Sequence, residues 1–179
     1  MTKDRETAIL EVTESMIREG GYNSFSFRNI ATEVGIKSSS VHYHFATKED
    51  LGVAVTKRYT DQFLLSLGDP TQQMVNGENP IKKYISAFRH ALVTDKAMCL
   101  CGILGSEVEI LPEAVAEEAK IFFKRNIDWL TRAYATLGKQ PDAGTKAVQI
   151  LCTLQGALIA ARVLDDIAIF DQAAAVFSE

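Results

Sequence analysis

The chain is poor in the residues on which disulfide-rich, metal-binding and membrane proteins depend. Its 179 residues include three Cys, three His, four Pro and one Trp. So few cysteines, in odd number, exclude a disulfide framework and indicate a reducing compartment, so we expect a cytoplasmic protein. No uninterrupted apolar run approaches the roughly 18 residues of a membrane span, and the charged, amphipathic residues 1–20 predict no signal peptide. We therefore expect no membrane partner, no metal and no other cofactor.

The chain also lacks the excess of basic residues that many DNA-binding proteins carry. Its net charge is −4. The excess of acidic residues lies in the second part of the chain. Residues 1–60 hold eight basic and eight acidic side chains, whereas residues 61–179 hold eleven basic and fifteen acidic ones. A neutral N-terminal segment can still present a basic face if its acidic side chains point away, so the overall charge does not exclude a nucleic-acid partner.

The distribution of apolar residues predicts an all-α protein. No segment alternates apolar and polar residues as a strand does, and the few prolines lie near turn-like residues. Ile9, Val12, Met16 and Ile17 share one face of a first helix. The predicted helices cover about 5–19, 27–34, 37–44, 47–67, 80–94, 113–136, 144–164 and 167–177, with a short apolar segment at 99–111 and a polar loop at 68–80.

The segment 25–51, FSFRNIATEVGIKSSSVHYHFATKEDL, is the most specific signal in the chain. Ser26 can cap one short helix, Gly35 breaks it, and the next helix ends near His44. Thr47 followed three residues later by Asp50 is the start of a capping box for a longer helix. Two short helices joined by a tight turn predict a helix-turn-helix, which places its second helix in the major groove of DNA.

This segment, with the amphipathic helix before it, resembles the N-terminal head of the tetracycline-repressor (TetR) family of bacterial transcription regulators. The resemblance rests on FRNIATEVGI, the turn at Gly35, the His44-Phe45 pair and TKEDL, and covers about a quarter of the chain. It implies a three-helix DNA-binding head at 1–46, a connecting helix at 47–67 and a ligand-sensing and dimerisation body at 68–179. Members of the family usually carry Tyr where this chain has His42.

The polar helix KSSSVHYHF cannot be buried all round, so one of its faces is expected to contact DNA. The helix that starts at Thr47 would turn free backbone amides towards the duplex, and Lys48 adds a positive charge for phosphate. Arg28 is a second phosphate candidate. The predicted DNA contacts are Arg28, Lys37, Ser38, Ser39, Ser40, His42, Tyr43, His44, Thr47 and Lys48.

Binding of a short DNA site by this motif normally needs two heads, and hence a dimer. The end of the chain offers an apolar face with small residues beside it, suited to an isologous four-helix bundle. The predicted interface residues are Leu151, Leu154, Leu158, Ile159, Ala161 and Phe170. The resemblance supports this surface, because the family dimerises through its last two helices. The alternative is that these residues form the core of a single chain.

The resemblance also implies a small-molecule effector bound inside the body. Candidate residues are the aromatic and polar ones among the apolar helices, namely Tyr84, Phe88, Cys99, Cys101, Phe122, Phe123, Trp129 and Gln155. The alternative for each of them is ordinary core packing. Cys99 and Cys101 admit two further interpretations, a thiol sensor if one sulfur is exposed or a buried inert pair, whereas zinc would need more ligands.

Together these patterns predict a ligand-responsive transcriptional regulator, a repressor that a small molecule releases from a palindromic operator. Alternatives are an activator, a regulator that senses oxidants or electrophiles through its thiols, and a protein-interaction module that no longer binds DNA. The sequence contains no Ser/His/Asp set, no HExxH and no glycine-rich phosphate loop, so we expect no enzymatic activity.

Overall fold

Ten α-helices form the computed structural model, which describes residues 4–138 and 142–177 and contains no strand within them. The all-α prediction is confirmed. The helices are α1 (Arg5–Gly20), α2 (Phe27–Val34), α3 (Ser38–His44), α4 (Lys48–Leu67), α5 (Pro70–Val75), α6 (Pro80–Val93), α7 (Leu100–Ser106), α8 (Glu113–Thr136), α9 (Ala143–Val163) and α10 (Ile167–Ala175). Short 3₁₀ turns lie at Tyr22–Ser24 and Val108–Ile110.

The helix boundaries follow local capping signals, and one of these signals contradicts the predicted loop at 68–80. Asp69 caps α5, since its carboxylate accepts hydrogen bonds from the amides of Thr71 and Gln72, and Pro70 occupies the first turn. A continuous loop is therefore wrong for this stretch. Asn79 and Pro80 start α6 by the same combination of an Asx cap and an N-terminal proline.

The chain divides into two compact units. The first comprises the residues up to Gln62 together with Leu100–Phe122, and the second comprises Phe63–Cys99 and the residues from Phe123 onwards. This division rests on contacts between residues. The predicted division by role, at residues 46 and 67, stays a prediction.

The first unit buries the apolar faces of its short helices. The buried apolar residues of α1, α2 and α3, with the residue that follows α3, include Ile9, Leu10, Ile17, Ile30, Ala31, Val41 and Phe45. Val34 and Ile36, which flank Gly35 at the turn between α2 and α3, are half-buried. The segment Leu100–Phe122 contributes further buried side chains, among them Leu104 and Val115. Burial of these residues holds α1, α2 and α3 in one arrangement.

The core of the second unit is formed by α6, α9, α10 and the C-terminal part of α8. It contains aromatic residues from α6 and α8, and a row of Leu and Ala from α9. Helix α9 is also long and apolar enough to cross a membrane by length and composition, with a mean hydropathy of 1.2 over 18 residues. Eight of its residues are buried in the protein. Since core helices of soluble proteins have the same composition, this helix is weak evidence for a membrane span.

Candidate nucleic-acid interface

Helices α2 and α3 meet at a turn that glycine makes possible. Gly35 adopts a left-handed conformation (φ 75°, ψ 36°), and its amide donates to the carbonyls of Ala31 and Thr32. The Ile36 amide donates to the Ala31 carbonyl at 2.9 Å, which closes the end of α2. At the other end of α2 the Ser26 hydroxyl accepts from the Asn29 amide at 3.2 Å. The predicted cap and the predicted turn therefore lie where the helix begins and ends.

Helix α3 is anchored by one apolar side chain and turns its polar side chains outwards. Val41 is fully buried, whereas Tyr43 is 86% exposed. The exposed residues of the predicted set on and beside α3 are Lys37, Ser39, His42 and Tyr43, and the half-buried ones are Ser38, Ser40 and His44. A short helix with a buried anchor and an exposed polar face has the arrangement that reads base edges and phosphates in a major groove.

The two histidines of α3 contact neighbouring helices. The His42 ring lies edge-to-face against Phe27 of α2, with centroids 4.5 Å apart. The His44 Nδ1 lies 3.8 Å from a carboxylate oxygen of Glu6 on α1. His42 is exposed yet held by its ring contact, so its imidazole is presented to solvent in one orientation.

The N-terminus of α4 is closed by a reciprocal pair of hydrogen bonds. The Asp50 amide donates to the Thr47 hydroxyl at 3.0 Å, and the Thr47 amide donates to an Asp50 carboxylate oxygen at 3.0 Å. The Thr47 hydroxyl also donates to that oxygen, at 2.8 Å. The predicted capping box is thus present with Asp in place of Glu or Gln.

Lys48, predicted as a phosphate contact, is half-buried and rests on two aromatic rings. Its Nζ lies 4.8 Å from the centre of the Tyr22 ring and 4.5 Å from that of Phe25. Burial lowers the pKa of Lys48, and burial with a smaller effect of Glu49 raises the pKa of Tyr22. Arg28, the other predicted phosphate contact, is exposed on α2. The rings hold the ammonium of Lys48 in one position by cation–π attraction.

Six of the eight predicted effector residues belong to the second unit, and four of these lie in or against its core. Tyr84, Phe88 and Trp129 are buried in it, and Phe123 packs against it. Tyr84 and Trp129 stack with ring centroids 5.6 Å apart. The half-buried Gln155 donates from Nε2 to the sulfur of the buried Cys99 at 3.3 Å. Phe122 and Cys101 are also buried but belong to the first unit.

Asn126 is a buried polar residue of this core that the sequence reading missed. It is fully buried, and its Oδ1 accepts a 2.8 Å hydrogen bond from the Tyr84 hydroxyl. Burial, with a smaller effect of Cys99, raises the pKa of Tyr84 well above its usual value. The available signal was the spacing, since Asn126 lies on the apolar face of α8, four residues after Phe122 and three before Trp129.

Five of the six predicted dimer residues are buried within the single chain. These are Leu151, Leu154, Leu158, Ala161 and Phe170, which belong to the core of the second unit. Ile159 is 48% exposed. The exposed apolar residues at this end of the chain include Val148, Ile159, Val163, Leu164 and Ile167. Ile159 and Val163 lie four residues apart on α9, on the face opposite the leucines, and this spacing was visible in the sequence.

Metal-ligating side chains do not cluster in the parts of the chain that the structure describes. Within residues 4–138 and 142–177, no three His, Cys, Asp or Glu side chains are placed to hold a metal ion. Cys99 and Cys101 are buried, and Cys152 is exposed on α9.

Comparison with known proteins relates the whole chain to bacterial regulators. Residues 9–55 match the family described as bacterial regulatory proteins, tetR family. A TetR transcriptional regulator from Legionella pneumophila is 33% identical, with a TM-score of 0.91 over 99% of this chain and 98% of that one. A TetR-family regulator from Agrobacterium tumefaciens is 28% identical, with a TM-score of 0.80 and coverage of 97% and 95%. The regulatory protein TetR from Rhodobacter sphaeroides shares the fold at 17% identity, with a TM-score of 0.85 and coverage of 97% and 96%. No curated protein matches.

Proposed function

Because the chain belongs to the TetR family of bacterial transcriptional regulators, we propose that it is a homodimeric repressor of a palindromic DNA operator, released by a small-molecule effector. The observation that carries the proposal is α3. Its buried Val41 anchors a short helix whose opposite face presents Ser39 and Tyr43 to solvent, and the exposed Lys37 lies just before its first residue. In a major groove, Ser39 would contact base edges, Lys37 a phosphate, and the Tyr43 ring a sugar or a thymine methyl.

Two heads would be brought together through the outward face of α9 and the start of α10. Val163 is 78% exposed on this face, and Ile159 and Ile167 lie on the same end of the chain. Apolar residues that lie next to one another on an exposed surface mark a site of contact with another molecule. A second copy supplies the same residues, as a two-fold interface requires. The proposed interface is therefore formed by the exposed Ile159, Val163 and Ile167, and the predicted leucines of α9 pack in the core behind them.

The effector would enter the aromatic core of the second unit, and its chemistry follows from that core. Tyr84, Phe88 and Trp129 offer ring faces, and Tyr84 and Asn126 offer hydrogen-bonding groups. Among the described residues of this unit no charged side chain is buried. A charged ligand would lose its hydration without gaining a counter-charge, which is costly. The proposed effector is a neutral aromatic molecule with one hydrogen-bonding group.

The chain contains one tryptophan, which gives a direct test of the effector class. Trp129 stacks on Tyr84, so a ligand that separates the two rings changes the tryptophan emission. Neutral aromatic molecules should change the emission and saturate, whereas their carboxylate analogues should have little effect. Equal binding of the carboxylates would contradict the proposed effector class.

Thiol sensing is the weaker alternative for the signal. An oxidant-sensing cysteine needs an accessible thiolate, and both Cys99 and Cys101 are buried. Serine variants at these two positions should therefore respond to oxidant as the parent does.

Repression or activation would be distinguished by the position of the operator relative to the promoter, and by the effect of deleting the regulator on a reporter gene.

The test of DNA binding is selection of bound genomic fragments, followed by gel shifts of the selected fragment at several salt concentrations. The logarithm of the affinity should fall with the logarithm of the salt concentration, by about 0.9 for each phosphate contacted. Tyr43→Ala should lower the affinity about tenfold or more, because a good side-chain contact is lost in each head.

The matched controls separate the α3 face from general charge. Lys37→Ala should weaken binding and reduce its salt dependence, whereas Lys82→Ala removes an exposed lysine on α6 and should have no effect. If neither Lys37→Ala nor Tyr43→Ala differs from Lys82→Ala, or if the selected fragment binds no better than random DNA, the proposal fails.

A further inference from the structure

A carboxylate distant in sequence from the helix-turn-helix is bonded to its backbone. Glu107 lies at the end of α7, and its Oε2 accepts a 2.8 Å hydrogen bond from the Tyr22 amide, 85 residues earlier in the chain. Both residues belong to the first unit. The bond is charge-assisted and joins the segment Leu100–Phe122 to the 3₁₀ turn that follows α1.

Glycine at position 21 makes room for this contact. Gly21 has φ 79° and ψ −175°, a conformation that other residues rarely adopt. A Cβ at this position would overlap the Glu107 carboxylate and lie 2.8 Å from its Cδ. The Glu107 carboxylate thus packs directly against the backbone of residues 21 and 22.

The residue whose amide Glu107 holds is also the residue that supports Lys48. The Tyr22 ring lies edge-to-face with Phe25 at 5.4 Å, and the Lys48 ammonium rests over both rings. Tyr22 is closely surrounded, because a Cβ on Gly52 of α4 would lie 2.8 Å from its ring. A displacement of the Tyr22 backbone would therefore move the ring and, with it, the ammonium at the start of α4.

From these contacts we infer that Glu107 is a positioning residue for operator binding. By holding the Tyr22 amide, it keeps the Tyr22 ring in place, and the ring holds Lys48 where a DNA phosphate is contacted. The inference rests on the proposed function, since it needs a DNA-binding head. It assigns a part in DNA binding to a residue outside the helix-turn-helix, in the segment Leu100–Phe122.

The experiment compares variants at position 107 on the selected genomic fragment. Glu107→Ala should lower the affinity about tenfold and reduce the salt dependence by about 0.9 for each head, the value of one phosphate contact. Glu107→Gln keeps an oxygen that can accept the Tyr22 N–H and should recover most of the affinity. Glu109→Ala removes an exposed carboxylate in the neighbouring turn and should behave as the parent.

A double-variant cycle tests whether Glu107 acts through Lys48. In a Lys48→Ala background, Glu107→Ala should cause no further loss of affinity, because the contact that it positions is already absent. Glu107→Asp keeps the charge at a half-buried position but is too short to reach the Tyr22 amide. It should bind as weakly as Glu107→Ala, and it provides the same test if the alanine variant does not fold.

The possible results separate this inference from the function on which it rests. If the parent shows no salt-dependent preference for any fragment, the proposed function fails. If the parent binds but Glu107→Ala or Glu107→Asp changes only the melting temperature and not the salt dependence, Glu107 is merely structural and the inference is overturned. Additive losses in the cycle with Lys48→Ala overturn it as well.

Discussion

The turn between α2 and α3 allows a prediction in which the change in the free energy of unfolding comes from backbone conformation alone. Gly35 has φ 75°, and a Cβ built on it would meet no heavy atom within 4 Å. Gly35→Ala therefore adds no clash and only forces an L-residue into the left-handed region, at a cost of about 1–2 kcal/mol. For a chain of this length, each kcal/mol lowers the melting temperature by about 2–4 °C, so we expect a fall of about 2–8 °C.

The assay is thermal and urea unfolding by circular dichroism at one fixed protein concentration, since the proposed dimerisation would make stability depend on concentration. Gly35→Asn should recover part of the loss, because asparagine tolerates the left-handed region better than alanine. Gly144→Ala is the matched control. It also has nothing within 4 Å but lies in α9 without a positive φ, so it should stabilise the protein by up to about 1 kcal/mol.

The two alanine variants should change the stability in opposite directions, and this comparison tests whether the left-handed backbone at Gly35 has the expected cost. If Gly35→Ala is as stable as the parent, or if Gly35→Asn loses as much as Gly35→Ala, the left-handed turn does not limit the stability of the head. If Gly144→Ala is also destabilising, an added Cβ has a cost even where no atom lies within 4 Å, and the loss in Gly35→Ala cannot be assigned to backbone conformation.

Three further predictions concern the second unit. Tyr84→Phe removes the hydroxyl donor from the buried amide of α8 and should lower the free energy of unfolding by about 1–3 kcal/mol, measured by urea titration. Val163→Asp should shift the dimer towards monomer in sedimentation experiments, whereas Val75→Asp, an equally exposed valine on α5, should not. A hydrogen bond from Arg89 lowers the pKa of Asp171 below its usual 3.8, so its contribution to stability is present above that pH and is lost as the pH falls through the lowered pKa. Asp171→Asn should remove this part of the acid dependence of the urea midpoint, and an unchanged profile would contradict the assignment.

The helix-turn-helix could be predicted because its signals are local. Ser26 and Gly35 define the ends of α2 through a hydroxyl cap and a left-handed turn, and both act within four residues in sequence. Helix α5 was missed although its signals, Asp69 and Pro70, are equally local. A polar, turn-rich composition favours a loop here, but the Asp69 cap and Pro70 act directly on the backbone of the first turn and outweigh it.

The effector and dimer residues were harder to predict because their roles depend on what covers them. Leu151 and Val163 are both apolar residues of α9, and periodicity alone does not say which face packs on the same chain. Asn126 resembles any polar residue of a long helix until Tyr84, 42 residues earlier, is brought against it. Phe122 and Phe123 are adjacent in sequence, yet they belong to different units.

The sequence by itself determined the all-α class, the two short helices with their turn at Gly35, and the polar face of α3, because caps, turns and helical periodicity are properties of neighbouring residues. Only the tertiary structure decided the surroundings of Lys48, which the sequence presented as a positive charge at the start of a helix. Its position on two aromatic rings, and the bond from the Tyr22 amide to Glu107, depend on residues separated by tens of positions. Such contacts form only when the chain folds back on itself, and no local pattern encodes them.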